Sequence, residues 1–364
     1  MSELIKTQDR YADIRGKLLA TASCLALLAC ASHAAYADDE TDRPTVWLEL
    51  GGQLERTSDT QDSFAPPFLL KTPPSFETVS PLRAERPPLY SIGGDAKFSF
   101  QPEDTNWVFA ASVRYGRANG NKVVHQQTTF PPISFSSTFS ITPYDDNYAD
   151  TKVTHQQSHA VVDFQAGKDF GLGMFGRGGS SVFSLGVRFA QFMSKTTVNI
   201  RERPDLHTKN SLKYFHSYGL TGHSARNFHG VGPSLSWDAS MPVMGNPQTT
   251  EFTFDWGVNA AILFGRQKAS VSHHTSGRYI EVKYYHFPPP PYENTKARSE
   301  THAVTVPNLG GFVGASVKFP NAKVSLGYRA DFFFGAVDGG IDSRVSKTLG
   351  FNGPFASISV GFGG

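Results

Sequence analysis

The sequence predicts an all-β chain folded as a transmembrane antiparallel β-barrel of about ten to twelve strands, with long extracellular loops and short periplasmic turns. Three observations lead there. Segments along the whole chain alternate apolar and polar residues with period two, as a strand must when its faces meet different solvents. The connections between those segments alternate between long and short. Hydrophobic residues make up only 39% of the chain and aromatic ones 13%. Beyond the N-terminal leader, no run approaches the roughly 20 apolar residues of a helical span.

Residues 1–37 read as a secretory signal peptide, and 38–364 as the barrel. Lys6, Arg10, Arg15 and Lys17 form a positive start, and Leu18 to Ala31 is small, apolar and uncharged. Ala35-Tyr36-Ala37 then supplies an A-x-A cleavage pattern before Asp38-Asp39-Glu40. A lipoprotein signal, with Cys30 or Cys24 as the acylated residue, is the rival reading. Both cysteines lie in this leader, so the exported part is expected to use no disulfide, thiolate metal site or thiol chemistry.

Ten segments carry the alternation. Val46, Leu48, Leu50 and Leu54 oppose Glu49, Gln53 and Glu55; Tyr90, Ile92, Ala96, Phe98 and Phe100 oppose Ser91, Asp95, Lys97 and Ser99. Trp107 to Tyr115, Ala160 to Ala166, Phe183 to Phe189 and Val231 to Ala239 repeat the pattern. The clearest is 252–264, where Asp255 is flanked by Phe254 and Trp256, with which it cannot share a face. Val313 to Phe319, Val324 to Phe334 and Ile358 to Phe362 complete the set.

Four connections are short: 101–106, 169–179, 241–249 and 320–323. Five are long, roughly 57–88, 117–158, 194–227, 267–301 and 335–350, with further hairpins conceivable over 128–141 and 270–285. Strict alternation of long and short places both termini on the periplasmic side. A soluble β-sandwich would alternate too. Here, however, aromatic residues (Trp47, Tyr90, Trp107, Phe252, Phe334) sit at strand ends, where interfacial girdles lie.

The polar faces supply the candidate lumen residues: Glu49, Glu55, Asp95, Lys97, Arg114, Asp163, Arg188, Asp238, Asp255, Lys318, Arg329 and Asp331. They are of both signs. Either they line a water-filled channel and set its selectivity, or they pair across a narrow lumen and close it.

FHGVGPSLSWDASMPV (228–243) and WGVNAAILFGRQKA (256–269) resemble the Legionella-type major outer membrane protein family, and the opening WLELGGQLE (47–55) looks like a first barrel strand. The C-terminal FASISVGFGG looks like a closing strand. The resemblance implies a pore-forming outer-membrane barrel, passing small solutes or ions without enzymatic activity. One departure concerns the barrel-assembly machinery, which reads a terminal aromatic residue: here Phe362 is followed by Gly363 and Gly364.

Other classes are less well served. The chain has 34 basic and 32 acidic side chains, and the leader removes four and three of them. The remainder is nearly neutral, which argues against binding nucleic acid by bulk charge. Eleven histidines follow the leader (125, 155, 159, 207, 216, 223, 229, 273, 274, 286 and 302), nearly all in or beside long connections and without metal-ligand spacing. No cofactor is expected. An omptin-like surface protease would have only Asp145-Asp146 and His273-His274 to work with. Proline clusters at 66–67, 73–74, 87–88, 131–132 and 288–291 fall in the long connections, where proline blunts exposed edges. The expected partners are outer-membrane lipids, lipopolysaccharide and small solutes or ions. The alternative to a pore is a closed barrel whose long loops act as a surface adhesin or receptor.

Overall fold

The structure is a computed structural model that describes residues 45–59, 90–103, 105–128, 147–171, 179–203, 215–246, 249–279 and 292–363. The leader over 1–37, the proline clusters and Asp145-Asp146 lie outside the described residues. The chain divides into a barrel body, Val46–Gly361, and a small unit of Met1–Thr45 with Phe362–Gly364. In the latter only Thr45, Phe362 and Gly363 are described.

Ten strands form the barrel: β1 (Val46–Asp59), β2 (Tyr90–Phe100), β3 (Trp107–Thr128), β4 (Asn147–Asp169), β5 (Ser180–Arg203), β6 (Phe215–Asn246), β7 (Thr250–Tyr279), β8 (Tyr292–Phe319), β9 (Ala322–Asp338) and β10 (Ser346–Phe362). Each pairs with its neighbour in sequence, antiparallel, and β10 lies beside β1, so the sheet has no free edge. The four short connections join strands at one end of the barrel, and 320–321 form a tight turn.

The five long connections are shorter than the sequence suggests, because the strands run on into them. A barrel strand needs about 9–11 residues to cross a bilayer, whereas β6, β7 and β8 have 32, 30 and 28. Residues 270–279, read as part of a possible hairpin, continue β7. At the turn end the outward face is a continuous apolar band: Phe183, Leu185, Val187 and Phe189 on β5, and Phe252, Val258, Ile262 and Phe264 on β7, are each at least 42% exposed. A soluble sandwich buries such residues; a transmembrane barrel presents them to lipid.

Beyond the band the code inverts within the same strand. On β5 the outward residues become Gln191, Lys195 and Thr197, while Phe192, Val198 and Ile200 are buried inside. On β7, Arg266, Lys268, Ser270 and Ser272 face out and Ala269 and Val271 face in. Water has replaced lipid outside, so the apolar side chains move to the interior and the strands project past the membrane as a barrel with a packed core.

β9 carries a two-residue irregularity. Leu349 pairs with Phe333 but Lys347 pairs with Val337, so β9 has two extra residues there. Gly335, with φ of 72°, takes the left-handed conformation that this bulge needs. The extra residues turn Phe333, Ala336 and Asp338 all inward, and each is buried at 1% exposure or less.

Candidate functional site

The interior has three levels. In the membrane-embedded part lies a polar chamber of about 280 Å³. Glu49, Asp95, Lys97, Arg114, Asp163, Arg188, Asp238, Asp255 and Arg329, all expected to face the lumen, line it. Asp331 also faces inward, but is buried at 3% exposure behind the chamber wall and accepts a hydrogen bond from Arg114. Glu55 is buried above it, accepting from Ser91 Oγ at 2.9 Å and 3.3 Å from His159 Nε2. Lys318 is different: it lies exposed at the turn end, opposite Lys323, and is not part of the chamber wall.

Most of these charges are paired, several of them across the barrel. Arg188 of β5 donates to Asp163 of β4 and, two and three strands round the barrel, to Asn259 of β7 at 2.6 Å and to Asn308 of β8. Arg114 of β3 reaches Asp331 of β9, and Lys97 of β2 lies 3.5 Å from Asp238 of β6. Lys323 holds Asp255 at 2.8 Å, with Ser240, Thr253 and Ser316 also donating to that carboxylate. Arg329 stands 3.8 Å from Asp95 and 4.8 Å from the centre of the Phe355 ring. Such buried pairs offset their desolvation only when hydrogen-bonded on all sides. Lys323, Asn308 and Ser316 were missed as members: Lys323 looked like part of a turn, although it shares parity with Ser325 and Arg329.

Above the chamber an apolar seal crosses the lumen. Phe192, Phe228, Leu263, Val306, Phe333, Leu349 and Phe351 form one buried cluster with Val161, Ala190, Ala261 and Ala336. Leu263, Val306 and Phe333 have 0% exposure and Phe228 has 1%. Phe192 is at its centre, edge-on to Phe333 at 4.5 Å and stacked on Phe228 at 5.6 Å. The His159 ring lies 4.0 Å from Phe351. The side chains at the middle of this layer have almost no solvent contact.

At the far mouth the connection 339–345 folds inward as a cap. Asp338 Oδ1 accepts from the backbone N–H groups of Gly340 and Val345, both at 3.0 Å. Arg298 of β8 donates to Asp338 Oδ2 at 2.8 Å and to the carbonyls of Gly340 and Ile341. Arg226 of β6 donates to the carbonyls of Gly339 and Gly340. Asp342 lies 3.1 Å from His273 Nε2 and 3.7 Å from Lys296 Nζ. Burial raises the Asp338 carboxyl, but the two N–H donors and Arg298 outweigh it and hold the group below its ordinary value. Glu300, in the open part of the mouth, is held low by His302 and Arg298.

The histidines divide accordingly. His155, His159 and His273 are buried inside strands, whereas His223, His229 and His274 are exposed. His273 and His274 point to opposite faces, as adjacent strand residues must, so they cannot act together on one substrate. Among the described residues no three His, Cys, Asp or Glu side chains converge as a metal site.

No protein-family model matches the chain, and no curated protein does. Among solved structures it is similar to the transport unit of the autotransporter AIDA-I from Escherichia coli, at 8% identity and a TM-score of 0.25, covering 91% of this chain and 94% of that one. A mutant of the TodX monoaromatic hydrocarbon channel follows at 10% identity and a TM-score of 0.22, covering 88% and 91%. The Pseudomonas putida toluene transporter TodX has 11% identity and a TM-score of 0.17, covering 90% and 91%. At these TM-scores the fold rests on the chain's own strand pairing.

Proposed function

We propose that the protein is an outer-membrane barrel closed to diffusion, working at its extracellular end as a surface receptor or adhesin. The observation that carries this reading is the seal of Phe192, Phe228, Leu263, Val306 and Phe333, packed to near-zero exposure across the lumen. Strands that outrun the bilayer, with a polar outer wall and a packed interior of apolar and polar side chains, raise the long connections well above the membrane. The short turns and the termini then face the periplasm. The described residues contain no helix long and apolar enough to cross a membrane, and the crossing is made by strands.

A pore is the second reading. The resemblance to the Legionella-type family and the polar chamber below the seal favour it. Ions would then require the aromatic layer and the 339–345 cap to move together.

Conductance in planar bilayers separates the two. Folded wild-type protein is expected to insert without current steps. Reproducible steps from it overturn the closed-barrel reading and restore the pore.

A further inference from the structure

Above the apolar band, the outer wall from β5 to β8 carries charge of one sign. Lys195 and Arg201 on β5 and Arg266 and Lys268 on β7 are exposed on it. Among the described side chains, no Asp or Glu points outward on these four strands until Glu293, near the start of β8. Glu300 points inward and is engaged by Arg298 and His302.

The charges concentrate at one place. His229 of β6 lies directly opposite Arg266 in the ladder, and Lys268 follows on the same face. Neither Arg266 nor Lys268 has a carboxylate partner among the described residues. Basic groups crowded on one sheet face repel unless a counter-charge arrives from outside. Directly below them Phe264, Ile262 and Val231 are exposed at 56%, 49% and 40%. The patch therefore has hydrogen-bond donors and positive charge where the wall turns polar, and an apolar surface beneath.

We propose that this patch of His229, Arg266 and Lys268 binds the phosphate groups of lipopolysaccharide, whose acyl chains lie on Phe264, Ile262 and Val231. An arginine fork matches phosphate oxygens two at a time, and lysine adds a point charge. Lipopolysaccharide is favoured over a phospholipid because the basic wall is at the extracellular end, in the leaflet where that lipid resides. The site thus rests on the outer-membrane placement proposed above.

The test titrates the full chain, refolded in a zwitterionic detergent, with bisphosphorylated lipid A, dephosphorylated lipid A and phosphatidylglycerol. Bound lipid is counted by native mass spectrometry. Wild-type protein is expected to take up lipid A at a fixed stoichiometry, and Arg266→Ser combined with Lys268→Ser to weaken that binding by about tenfold or more. Serine already stands at the outward positions 270 and 272, so the double variant should fold, which circular dichroism checks. Dephosphorylated lipid A and phosphatidylglycerol should bind wild-type protein no better than lipid A binds the variant. Equal lipid A binding by both proteins overturns the site, and so does equal binding of phosphatidylglycerol. Fractionation of expressing cells reads the placement separately, so an outer-membrane protein indifferent to lipid A refutes this site alone.

Discussion

Arg188 and Asp163 stand directly opposite each other on β5 and β4 and share two hydrogen bonds, Nε to Oδ1 at 2.6 Å and Nη2 to Oδ2 at 3.1 Å. Both are buried, and the remaining guanidinium donor reaches Asn259 and Asn308 across the lumen. Arg188 is thus a cross-brace of the barrel. Arg188→Glu puts two carboxylates together and should destabilise the folded barrel by about 3–5 kcal/mol or more, the cost of breaking a buried pair. Equilibrium unfolding by urea in detergent micelles reads it. A variant as stable as wild type shows that the brace is solvated.

The seal makes a second stability prediction. Phe228 is stacked on Phe192 and is 1% exposed, in a layer where neighbours on six strands interlock. Phe228→Ala should cost about 3–5 kcal/mol, transfer and cavity together. The same substitution at Phe189, which faces outward at 46% exposure, leaves no internal cavity and should cost markedly less. Equal effects at the two positions contradict a packed lumen.

The half of this molecule within the apolar band was legible in the sequence, and the half beyond the band was not. Asp255 between Phe254 and Trp256 can be assigned inward from alternation alone, because lipid outside and polar packing inside make opposite demands. Above the bilayer the outer demand reverses, and apolar side chains move inside beside polar ones. Val198-Asn199-Ile200 keeps strict alternation, but with the apolar residues inside, so a search for apolar-outward strands reads it as loop. Ion pairs such as Arg114–Asp331 and Lys97–Asp238 depend on barrel closure, which no local pattern encodes. Lys318 has the right parity but stands at the rim, where height along the strand matters more than face.

Gly335 is where the bulge on β9 depends on a single residue. Its φ of 72° lies in the left-handed region, and a Cβ there would meet Ser346 Oγ at 2.9 Å. Gly335→Ala should therefore lose about 1–2 kcal/mol. The loss should appear as faster amide exchange around Val337 and Lys347 with the membrane band unchanged. A uniform loss over the whole barrel is the result that rejects a local role.

The cap should open in acid, and Asp338 determines where. Its folded carboxyl titrates below the ordinary value of about 3.9, so its contribution is fully present above that value. It is lost as pH falls through the lower folded value, when the protonated group no longer holds Arg298. A spin label at Ser343→Cys, in a chain with Cys24 and Cys30 replaced by serine, reports the mobility of 339–345. In the parent the label should stay restricted at neutral pH and loosen only below about pH 4. Asp338→Ala removes both the backbone acceptor and the Arg298 partner, and should loosen the label already at neutral pH. Asp338→Asn keeps Oδ1 for the N–H groups of Gly340 and Val345 but turns an amide towards Arg298, which places it between the two. If all three proteins show the same mobility at every pH, Arg226 and the His273–Asp342 contact hold the cap without Asp338.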